Sequence, residues 1–393
     1  MVMSDHIYMD NAATTALDPL VLEAMMPYLT DNYANASGTY NPASKARSAV
    51  NKARKTIADM IGAEPDEIFF TSGGTESDNI AIQGVVRALL PKEKRPEVIS
   101  DDLEHLAVRE TLKALAKTHL IDLKMVAPDN EGFILPSAVS DSIHKHCGLI
   151  SVMHANNEIG TINDIRGISE IAHEQGYTVH TDAVQSFGHI PVNVDMLGVD
   201  LLSASAHKLG GPKGVGLLYV RRGTAVSPIM FGGGQEKGLR SGTYNTAGIV
   251  GFGRAAELAA ERIRTDSDRI IKLRERLVSG IMGGIPHTIL TGPVSGTDGQ
   301  RLPGHASFAF KDVQGSSLVI GLDIKGICAS TGSACSAGSN EPSHVLRALK
   351  LPADYINGSL RLTLSHNTTA EEVDRVIEAV KNEVFKLREI FGN

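Results

Sequence analysis

Lys208 ends the sequence SAHK, residues 205–208, and is followed by the small-residue sequence LGGPKG. Residues 201–203 are predicted to form a strand, so Lys208 lies in the loop after it. A lysine in a loop of small residues can approach a planar cofactor closely and form a Schiff base with it. An exposed turn lysine is the alternative interpretation, and Lys213 in the same loop is the other candidate for this chemistry.

Asp182 ends another predicted strand, residues 178–182, and Gln185 follows three residues later. Ligands of open α/β sheets bind beyond the carboxyl ends of the strands. A carboxylate there can pair with a pyridinium nitrogen, keep that nitrogen protonated and make the ring an electron sink. A helix cap is the alternative role for Asp182, but its occurrence together with Lys208 favours a cofactor site.

Gly74 and Thr75 belong to the sequence TSGGTE, residues 71–76, which joins a predicted strand to a helix predicted to begin at Asp78. Backbone N–H groups at a helix N-terminus, together with glycines and a hydroxyl, can form a phosphate cradle. The sequence lacks the Lys-Ser/Thr ending of a P-loop and is not a dinucleotide fingerprint. An ordinary strand-to-helix turn is the alternative interpretation.

Two further polar residues follow predicted strands. His105 ends the sequence DDLEH, residues 101–105, where an imidazole can stack on a cofactor ring and move protons near neutral pH. Asn157 lies in ANNE, residues 155–158, and its amide can bond a phenolic oxygen or a carboxylate. A plain turn is the alternative for Asn157.

Cys335 lies in STGSACSAGS, residues 330–339, a loop of small residues. A thiol in such a loop is predicted to be exposed and mobile, as a nucleophile that moves between two positions must be. Cys328 lies in a β-type stretch and is predicted to be structural, and Cys147 precedes a strand. Arg361 lies on an alternating strand, where its guanidinium can hold a substrate carboxylate bidentately; an exposed salt-bridge arginine is the alternative.

The first two thirds of the chain indicate an α/β fold. Short β-branched segments alternate with amphipathic, Ala-rich segments, as in βαβ units. Strands are predicted at residues 67–70, 97–100, 149–154, 178–182, 201–203 and 215–220, with helices such as 78–90 and 165–175 between them. This pattern predicts a mostly parallel sheet covered on both faces.

The pattern changes after the Gly-rich residues 232–242. Two helices are predicted at residues 247–264 and 267–282, then a strand at 306–310, a helix near 316–325, a strand at 359–364 and a final helix at 370–391. These elements predict a smaller α+β domain, to which the N-terminal arm can return.

Composition limits the functional classes. With 42% apolar and 21% charged residues the chain is typical of globular proteins, and 393 residues suit two domains. A net charge of −7 without runs of Lys or Arg argues against direct binding of nucleic acid or of anionic membranes. No signal-peptide pattern and no run of about 18 apolar residues occurs, so we expect a cytoplasmic protein. The three cysteines are too dispersed for a disulfide framework or a zinc site.

Taken together, these motifs resemble the NifS/IscS-type cysteine desulfurases, which are class V, fold-type I enzymes that use pyridoxal 5'-phosphate (PLP). The resemblance extends from MDNAATT, residues 9–15, to Arg361. It implies the PLP-dependent transferase fold of type I, in which a large domain with a mainly parallel seven-stranded sheet is joined to a smaller α+β domain. We expect the large domain at residues 16–258, and the small domain, with the Cys335 loop, at residues 1–15 and 259–393.

The same resemblance implies residue roles. The catalytic residues would be Lys208, which binds PLP, Cys335, which carries sulfur as a persulfide, and His105, which stacks on the ring. The cofactor-binding residues would be Gly74, Thr75, His105, Asn157, Asp182, Gln185, Ser205, His207, Lys208 and Thr243. Thr243 would complete the phosphate site of the second subunit of a homodimer. The substrate-binding residues would be Asn157, Arg361 and Asn11.

The implied function is removal of sulfur from L-cysteine to give L-alanine. The sulfur would pass from Cys335 to an acceptor protein, either an iron–sulfur scaffold or a tRNA-thiolation enzyme. No metal takes part in the desulfurase reaction, and Cys335 would meet an iron–sulfur cluster only transiently on a scaffold. A selenocysteine lyase or another class V PLP-dependent aminotransferase is the alternative function, and a non-catalytic scaffold protein is a third.

Overall fold

The computed structural model describes residues 6–145, 147–294, 300–332 and 342–391. The strands are β1 (Ile7–Tyr8), β2 (Ile68–Thr71), β3 (Glu97–Asp101), β4 (Asp122–Val126), β5 (Gly148–Ser151), β6 (Tyr177–Asp182), β7 (Leu201–Ser205), β8 (Gly216–Val220), β9 (Thr288–Leu290), β10 (His305–Phe310), β11 (Ile327–Cys328) and β12 (Ser359–Thr363). The helices are α1 (Pro19–Leu29), α2 (Asn41–Ile61), α3 (Gly74–Leu89), α4 (Leu106–Lys117), α5 (Pro136–Ser140), α6 (Ile165–Glu174), α7 (Val194–Leu197), α8 (Thr246–Gly284), α9 (Gly315–Ile324), α10 (His344–Ala348) and α11 (Ala370–Phe391). None of the described helices is both long and apolar enough to cross a membrane.

Seven strands form the central sheet in the order β2-β8-β7-β6-β5-β3-β4. Strand β8 runs antiparallel to its neighbours β2 and β7, and the other pairs are parallel. Every residue of β3, β5, β7 and β8 is buried, which is why these strands lack a polar alternation. The predicted α/β fold with a mainly parallel seven-stranded sheet is confirmed.

Apolar side chains pack on both faces of this sheet. The adjacent residues Val98 and Ile99 of β3 point to opposite faces and belong to different hydrophobic clusters. One cluster joins the sheet to α1, α2, α6 and the first part of α8, and the other joins it to α3 and α4. The carboxyl ends of the parallel strands therefore lie between two helical layers.

Helix α8 differs from the prediction, which divides it into helices 247–264 and 267–282. It is one helix of 39 residues, about 58 Å long at the usual rise per residue. Its first part packs on α1 and α2, whereas Leu273, Leu277 and Ile281 belong to the hydrophobic cluster of the last third of the chain. Residues 265–269 are polar and form a largely solvent-facing turn of the helix between the two packed parts. A polar helical turn without Gly or Pro does not interrupt a helix.

The last third of the chain forms a second layer with its own core. Strands β12, β10 and β9 form an antiparallel sheet, and α11 packs on α8 and α9. The N-terminal arm joins this region, because β1 pairs in parallel with β11 and Met9 belongs to the same cluster. Asp10 also forms a bridge to Thr363 at the end of β12. The arm therefore reaches from this core toward the edge of the central sheet.

Candidate active site

The carboxyl ends of β3, β6 and β7 bring three predicted side chains to one place. His105 follows β3, Asp182 ends β6, and Lys208 lies in a short 3-10 helix directly after β7. They line a cavity of about 510 Å³. The predicted site residues in this lining are Gly74, Thr75, His105, Asn157, Asp182, Gln185, Ser205, His207, Lys208 and Arg361.

The amine of Lys208 is held by the N-terminal arm. Its Nζ donates hydrogen bonds to the carbonyl oxygens of Ala12 at 2.6 Å and Ala13 at 2.9 Å. Both alanines line the same cavity, so the amine lies at its wall. Lys213, the other candidate, is exposed and does not line this cavity. The geometry therefore favours Lys208 over Lys213 for covalent binding of a cofactor.

Asp182 is a buried carboxyl group, 5% exposed, and its Oδ1 accepts a hydrogen bond from the Val184 amide at 2.8 Å. Burial raises the pKa of Asp182, while the positive charges of His105 and Lys208 oppose that rise. A cationic ring nitrogen in this cavity would favour the ionised form in the same way. Binding of a cation beside Asp182 would therefore favour its ionised carboxylate form.

His105 caps helix α4. Its Nδ1 accepts a hydrogen bond from the Ala107 amide at 3.1 Å, so a neutral ring carries its proton on Nε2. The ring lies close to two carboxyl groups: one oxygen each of Asp78 and Asp182 and a ring nitrogen of His105 lie within 4.8 Å of one another. This position suits an imidazole that packs on a cofactor ring and exchanges a proton with its surroundings.

A phosphate site lies between α3 and the end of β7. Helix α3 begins at Gly74, four residues before the predicted start, so Gly74 and Thr75 form its first turn. A Cβ at Gly74 would lie 2.6 Å from Cγ2 of Val184 and would clash with it. Glycine at this position avoids the clash and leaves the backbone N–H groups accessible to a bound phosphate. The buried Ser205 hydroxyl has no hydrogen-bond partner among the described residues. Free helical N–H groups and an unpaired hydroxyl fit the phosphate group of PLP.

His207 and Gln185 connect this site to the N-terminal arm. His207 Nδ1 lies 3.1 Å from Thr14 Oγ1, and burial followed by the charge of Lys208 lowers the pKa of His207 to about 4. A neutral His207 can donate a hydrogen bond to a phosphate without carrying charge. Gln185 Nε2 donates to the Ala12 carbonyl at 2.9 Å, which leaves its amide oxygen as an acceptor.

Arg361 is almost completely buried, with 2% of its surface exposed. Its Nη2 lies 2.7 Å from Asp10 Oδ1, and its Nη1 donates to the carbonyl oxygens of Asn157 at 2.9 Å and Gly332 at 3.3 Å. Its Nε is buried without a hydrogen-bond partner among the described residues. The unused Nε–H and the second Nη2–H can therefore receive a carboxylate in a bidentate arrangement.

Two of the described site residues, Asn11 and Thr243, do not line this cavity. The amide nitrogen of Asn11 is bonded to the Thr363 carbonyl at 2.7 Å, and Asn11 lies in the wall of a different cavity. Thr243 is exposed on the segment before α8. Cys335 lies outside the described residues. Gly332 and Pro342, the described residues on either side of segment 333–341, both line the cavity.

A second cavity, of about 550 Å³, lies on the other side of Lys208. Ala12, Gln185 and Lys208 line both cavities and therefore form a wall between them. The half-buried His189 and the buried His305 line only the second cavity. Burial lowers the pKa of both imidazoles, to about 4 for His189, so they are neutral at pH 7.

Two buried acids of the site, Asp78 and Glu158, have no counterpart among the predicted site residues. Asp78 lines the cavity one turn after Gly74 and Thr75, a spacing that would have indicated it if the helix start had been placed at Gly74. Glu158 accepts a hydrogen bond from the Ser343 hydroxyl at 2.6 Å, and burial raises its pKa. Glu158 follows Asn157 directly in the predicted turn, but no sequence signal shows that it is buried.

The comparisons with known proteins agree with this geometry. The class-V aminotransferase family profile matches residues 7–376. Cysteine desulfurase IscS of Dictyoglomus turgidum is 46% identical over 388 residues, which cover 99% of this chain and 97% of the relative. A solved NifS-like protein superposes with a TM-score of 0.89 at 35% identity, covering 97% of this chain and 100% of the other. The structure of SspA in complex with cysteine has a TM-score of 0.80 at 35% identity and covers 92% and 99%.

The fold and the lysine-centred cavity define a PLP-dependent α/β enzyme. The chain belongs to the class-V aminotransferase family and, within it, to the cysteine desulfurases of the NifS/IscS type. The resemblance stated from the sequence motifs is thereby confirmed.

Proposed function

We propose that this chain is a cysteine desulfurase that converts L-cysteine to L-alanine and carries the removed sulfur on Cys335. The C–S bond of the substrate breaks and an S–S bond to Cys335 forms. The substrate carbon is reduced while the two sulfur atoms are oxidised to the persulfide level, so the reaction needs no external oxidant or reductant. Two protons balance it: one from the Cys335 thiol reaches the product, and the substrate thiol keeps its own on the terminal sulfur.

One observation carries this proposal: the residues that flank the Cys335 segment line the same cavity as Lys208. Gly332 and Pro342 contribute to its wall, and the Arg361 guanidinium donates to the Gly332 carbonyl. A nine-residue segment that begins and ends at this wall has the length to bring a thiol to a bound substrate. A related protein has been solved with cysteine bound, which supports the choice of substrate.

The substrate carboxylate binds to the Arg361 fork and the Asn157 side chain, which fixes the Cα–H bond toward Lys208. PLP, when bound through Lys208 with Asp182 at its ring nitrogen, supplies an electron sink that stabilises negative charge at Cα. The Lys208 amine removes the Cα proton and returns it in the later step. His105, with its proton on Nε2, moves protons between the reacting thiols.

We infer that residues 16–258 form the PLP-binding domain, and that residues 1–15 and 259–393 form the small domain with Cys335. Two copies associate, with Thr243 of each completing the phosphate site of the other. Large exposed apolar side chains support this association, among them Leu29, Tyr33 and Phe231, which is 76% exposed. The sulfur acceptor is a cytoplasmic protein with a reactive thiol, either an iron–sulfur scaffold or a tRNA-thiolation enzyme.

Two variants test the catalytic assignment. Cys335→Ala should keep the visible absorbance of bound PLP but lose alanine and sulfide production from L-cysteine. Cys328→Ala is the matched control, because Cys328 is a half-buried thiol in β11 and burial raises its pKa. If Cys335→Ala turns over like the wild type, or if pyruvate or another keto acid replaces alanine as the product, the proposed carrier or reaction is wrong.

Lys208→Ala should lose covalent attachment of PLP, measured as the PLP mass fixed to the chain after borohydride reduction. Lys213→Ala is the matched control in the same loop and should retain the attachment. Unchanged attachment in Lys208→Ala would assign the cofactor to another lysine. Capture of persulfide-accepting proteins on the wild-type enzyme, with Cys335→Ala as the background, identifies the acceptor.

A further inference from the structure

Two acids that the proposed mechanism does not use lie buried at the cofactor edge of the central sheet. Asp78 on α3 is 1% exposed, and Glu104, which follows β3, is 0% exposed. Asp78 Oδ1 and both carboxyl oxygens of Glu104 have no hydrogen-bond partner of normal geometry among the described residues. Asp78 also lines the cavity that contains Asp182 and Lys208. An unpaired buried acid in a cofactor cavity needs a physical account.

Asp78 and Asp182 lie too close together for both to be ionised. One oxygen of each, with a ring nitrogen of His105, lies within 4.8 Å of the others. At an effective dielectric constant of about 20, repulsion between two full charges at this separation disfavours double ionisation roughly 300-fold. Both groups are buried, so water screens them little. This repulsion alone would not keep a carboxyl group protonated at pH 7, but burial is the larger cause and raises the pKa of Asp78 further. Together the two effects leave one proton on the pair at neutral pH.

The surroundings decide which carboxyl group keeps that proton. Asp182 faces positive charge from His105 and Lys208, and the ring nitrogen of PLP would add to it in the proposed role of Asp182. Asp78 forms no ion pair with a lysine or arginine among the described residues; its nearest basic group is His180, whose Nε2 lies 3.6 Å from Asp78 Oδ1. Asp182 is therefore favoured as the anion, and Asp78 as the neutral acid.

The imidazole of His180 cannot neutralise Asp78. Its Nδ1 lies 2.9 Å from the Ser151 hydroxyl and its Nε2 lies 3.0 Å from the Ser203 hydroxyl, all within the sheet. Burial lowers the pKa of His180 to about 3, so the ring is neutral. Burial, and then the charge of Asp182, raises the pKa of Asp78 well above its usual range, and the Ser203 hydroxyl opposes this only in part.

Glu104 supports the same distribution of charge. Burial raises the pKa of Glu104 well above its usual range, and the charges of Asp101 and Asp182 add to the rise. A backbone hydrogen bond with Met153 opposes it. A neutral Glu104 adds no negative charge beside Asp182. Among Asp78, Glu104 and Asp182, Asp182 is therefore the single anion.

We propose that Asp78 is a positioning residue for Asp182. The two carboxyl groups bind one proton in total, and Asp78 holds that proton. Asp182 is left as the single anion that faces the cofactor ring. The proposal rests on the proposed role of Asp182. It predicts that Asp78 is a reserve anion: when Asp182 is replaced by a neutral residue, the repulsion disappears and Asp78 can ionise in its place.

The test is a cycle of Asp78→Asn, Asp182→Asn and the double variant, made in the full-length protein. Two quantities are measured: the pH midpoint of the visible absorbance of bound PLP, and the dissociation constant for PLP added to the cofactor-free protein. Asp101→Asn is the matched control, because Asp101 is an equally buried acid that does not line the cavity. Asp78→Ser is a second neutral variant in case Asp78→Asn folds poorly.

Asp78→Asn should move the midpoint by less than about 0.3 pH units, as the control does, because one neutral group replaces another. Asp182→Asn should move it by more than about one unit. The double variant should bind PLP at least about tenfold more weakly than Asp182→Asn, although Asp78→Asn alone changes the affinity less than about threefold.

A shift of one unit or more in both Asp78→Asn and Asp78→Ser would show that Asp78 is an anion in the wild-type protein and would overturn the proposal. Equal PLP affinities for the double variant and Asp182→Asn would also overturn it, because no reserve charge would then exist. An unchanged midpoint in Asp182→Asn is a different failure: it would remove the proposed role of Asp182 itself.

Discussion

Replacing Arg361 by lysine separates the charge of this residue from its shape. Lysine keeps one positive charge but cannot present two N–H groups in a plane. The wild-type guanidinium already binds Asp10 and the carbonyls of Asn157 and Gly332, and its Nε–H is left unused in the described part of the chain. The ammonium group of a lysine at this position can donate to some of these partners. It cannot donate to all of them and to a substrate carboxylate at the same time.

The expected loss follows from the contacts. One hydrogen bond between charged groups contributes about 1.5–3 kcal/mol, so loss of half of a bidentate contact lowers kcat/KM for L-cysteine by about 10- to 100-fold. Each buried carbonyl left without a donor costs a further 1–3 kcal/mol or so of folding free energy, which lowers the melting temperature. Both effects have the same cause but are measured independently.

The assay is alanine formation against cysteine concentration at saturating PLP, together with the inhibition constant of the product L-alanine. Both ligands carry the same carboxylate, so both should weaken by a similar factor. Arg347→Lys is the matched control, because Arg347 lines the same cavity but is exposed. If Arg361→Lys is folded and both constants stay within about threefold of wild type, Arg361 does not hold the carboxylate.

Further substitutions test the phosphate site, the buried acids and the association of two copies. Gly74→Ala should weaken PLP binding, because its Cβ would press on Val184, whereas Gly283→Ala, with no heavy atom within 4 Å, should not. Burial raises the pKa of Asp101 to about 7. Between about pH 4 and pH 7 the folded protein keeps a proton that the unfolded chain releases, so the free energy of unfolding should fall by up to about 4 kcal/mol as the pH rises through this range. Asp101→Asn should remove this pH dependence of the melting temperature. Phe231→Glu should shift sedimentation toward a monomer, and an unchanged coefficient would place the interface elsewhere.

The positions that the sequence predicted correctly share one physical reason. His105 and Lys208 follow short, buried strands and Asp182 ends another strand that is mostly buried, and parallel strands end at the same edge of a sheet. Local patterns alone are therefore enough to bring these three side chains together. Six of the seven strands of the central sheet were predictable from the same local patterns, whereas the number seven came from the resemblance to the NifS/IscS-type enzymes.

Features that depend on distant contacts were not predictable in this way. Strand β4 was missed because it lies at the edge of the sheet, where Lys124 and Met125 are exposed and the apolar run is weak. The predicted break in α8 fell at a polar turn that lies between two cores, a position that only the tertiary structure defines. The start of α3 was misplaced because Gly74 is a poor helix former. There the Glu76 side chain accepts a hydrogen bond from the Ser72 amide and stabilises the first turn.

The Asp10–Arg361 pair shows why the two ends of the chain belong to the site. Arg361 lies on β12 and Asp10 follows β1, and the two residues are joined at 2.7 Å. Two and three residues beyond Asp10, the carbonyls of Ala12 and Ala13 hold the Lys208 amine. The residue proposed to bind the substrate carboxylate is thus connected through the N-terminal arm to the lysine proposed to take its proton. Because the same arm supplies Asp10 to Arg361 and two carbonyls to Lys208, displacement of the arm from β12 would also remove the contacts that hold the Lys208 amine.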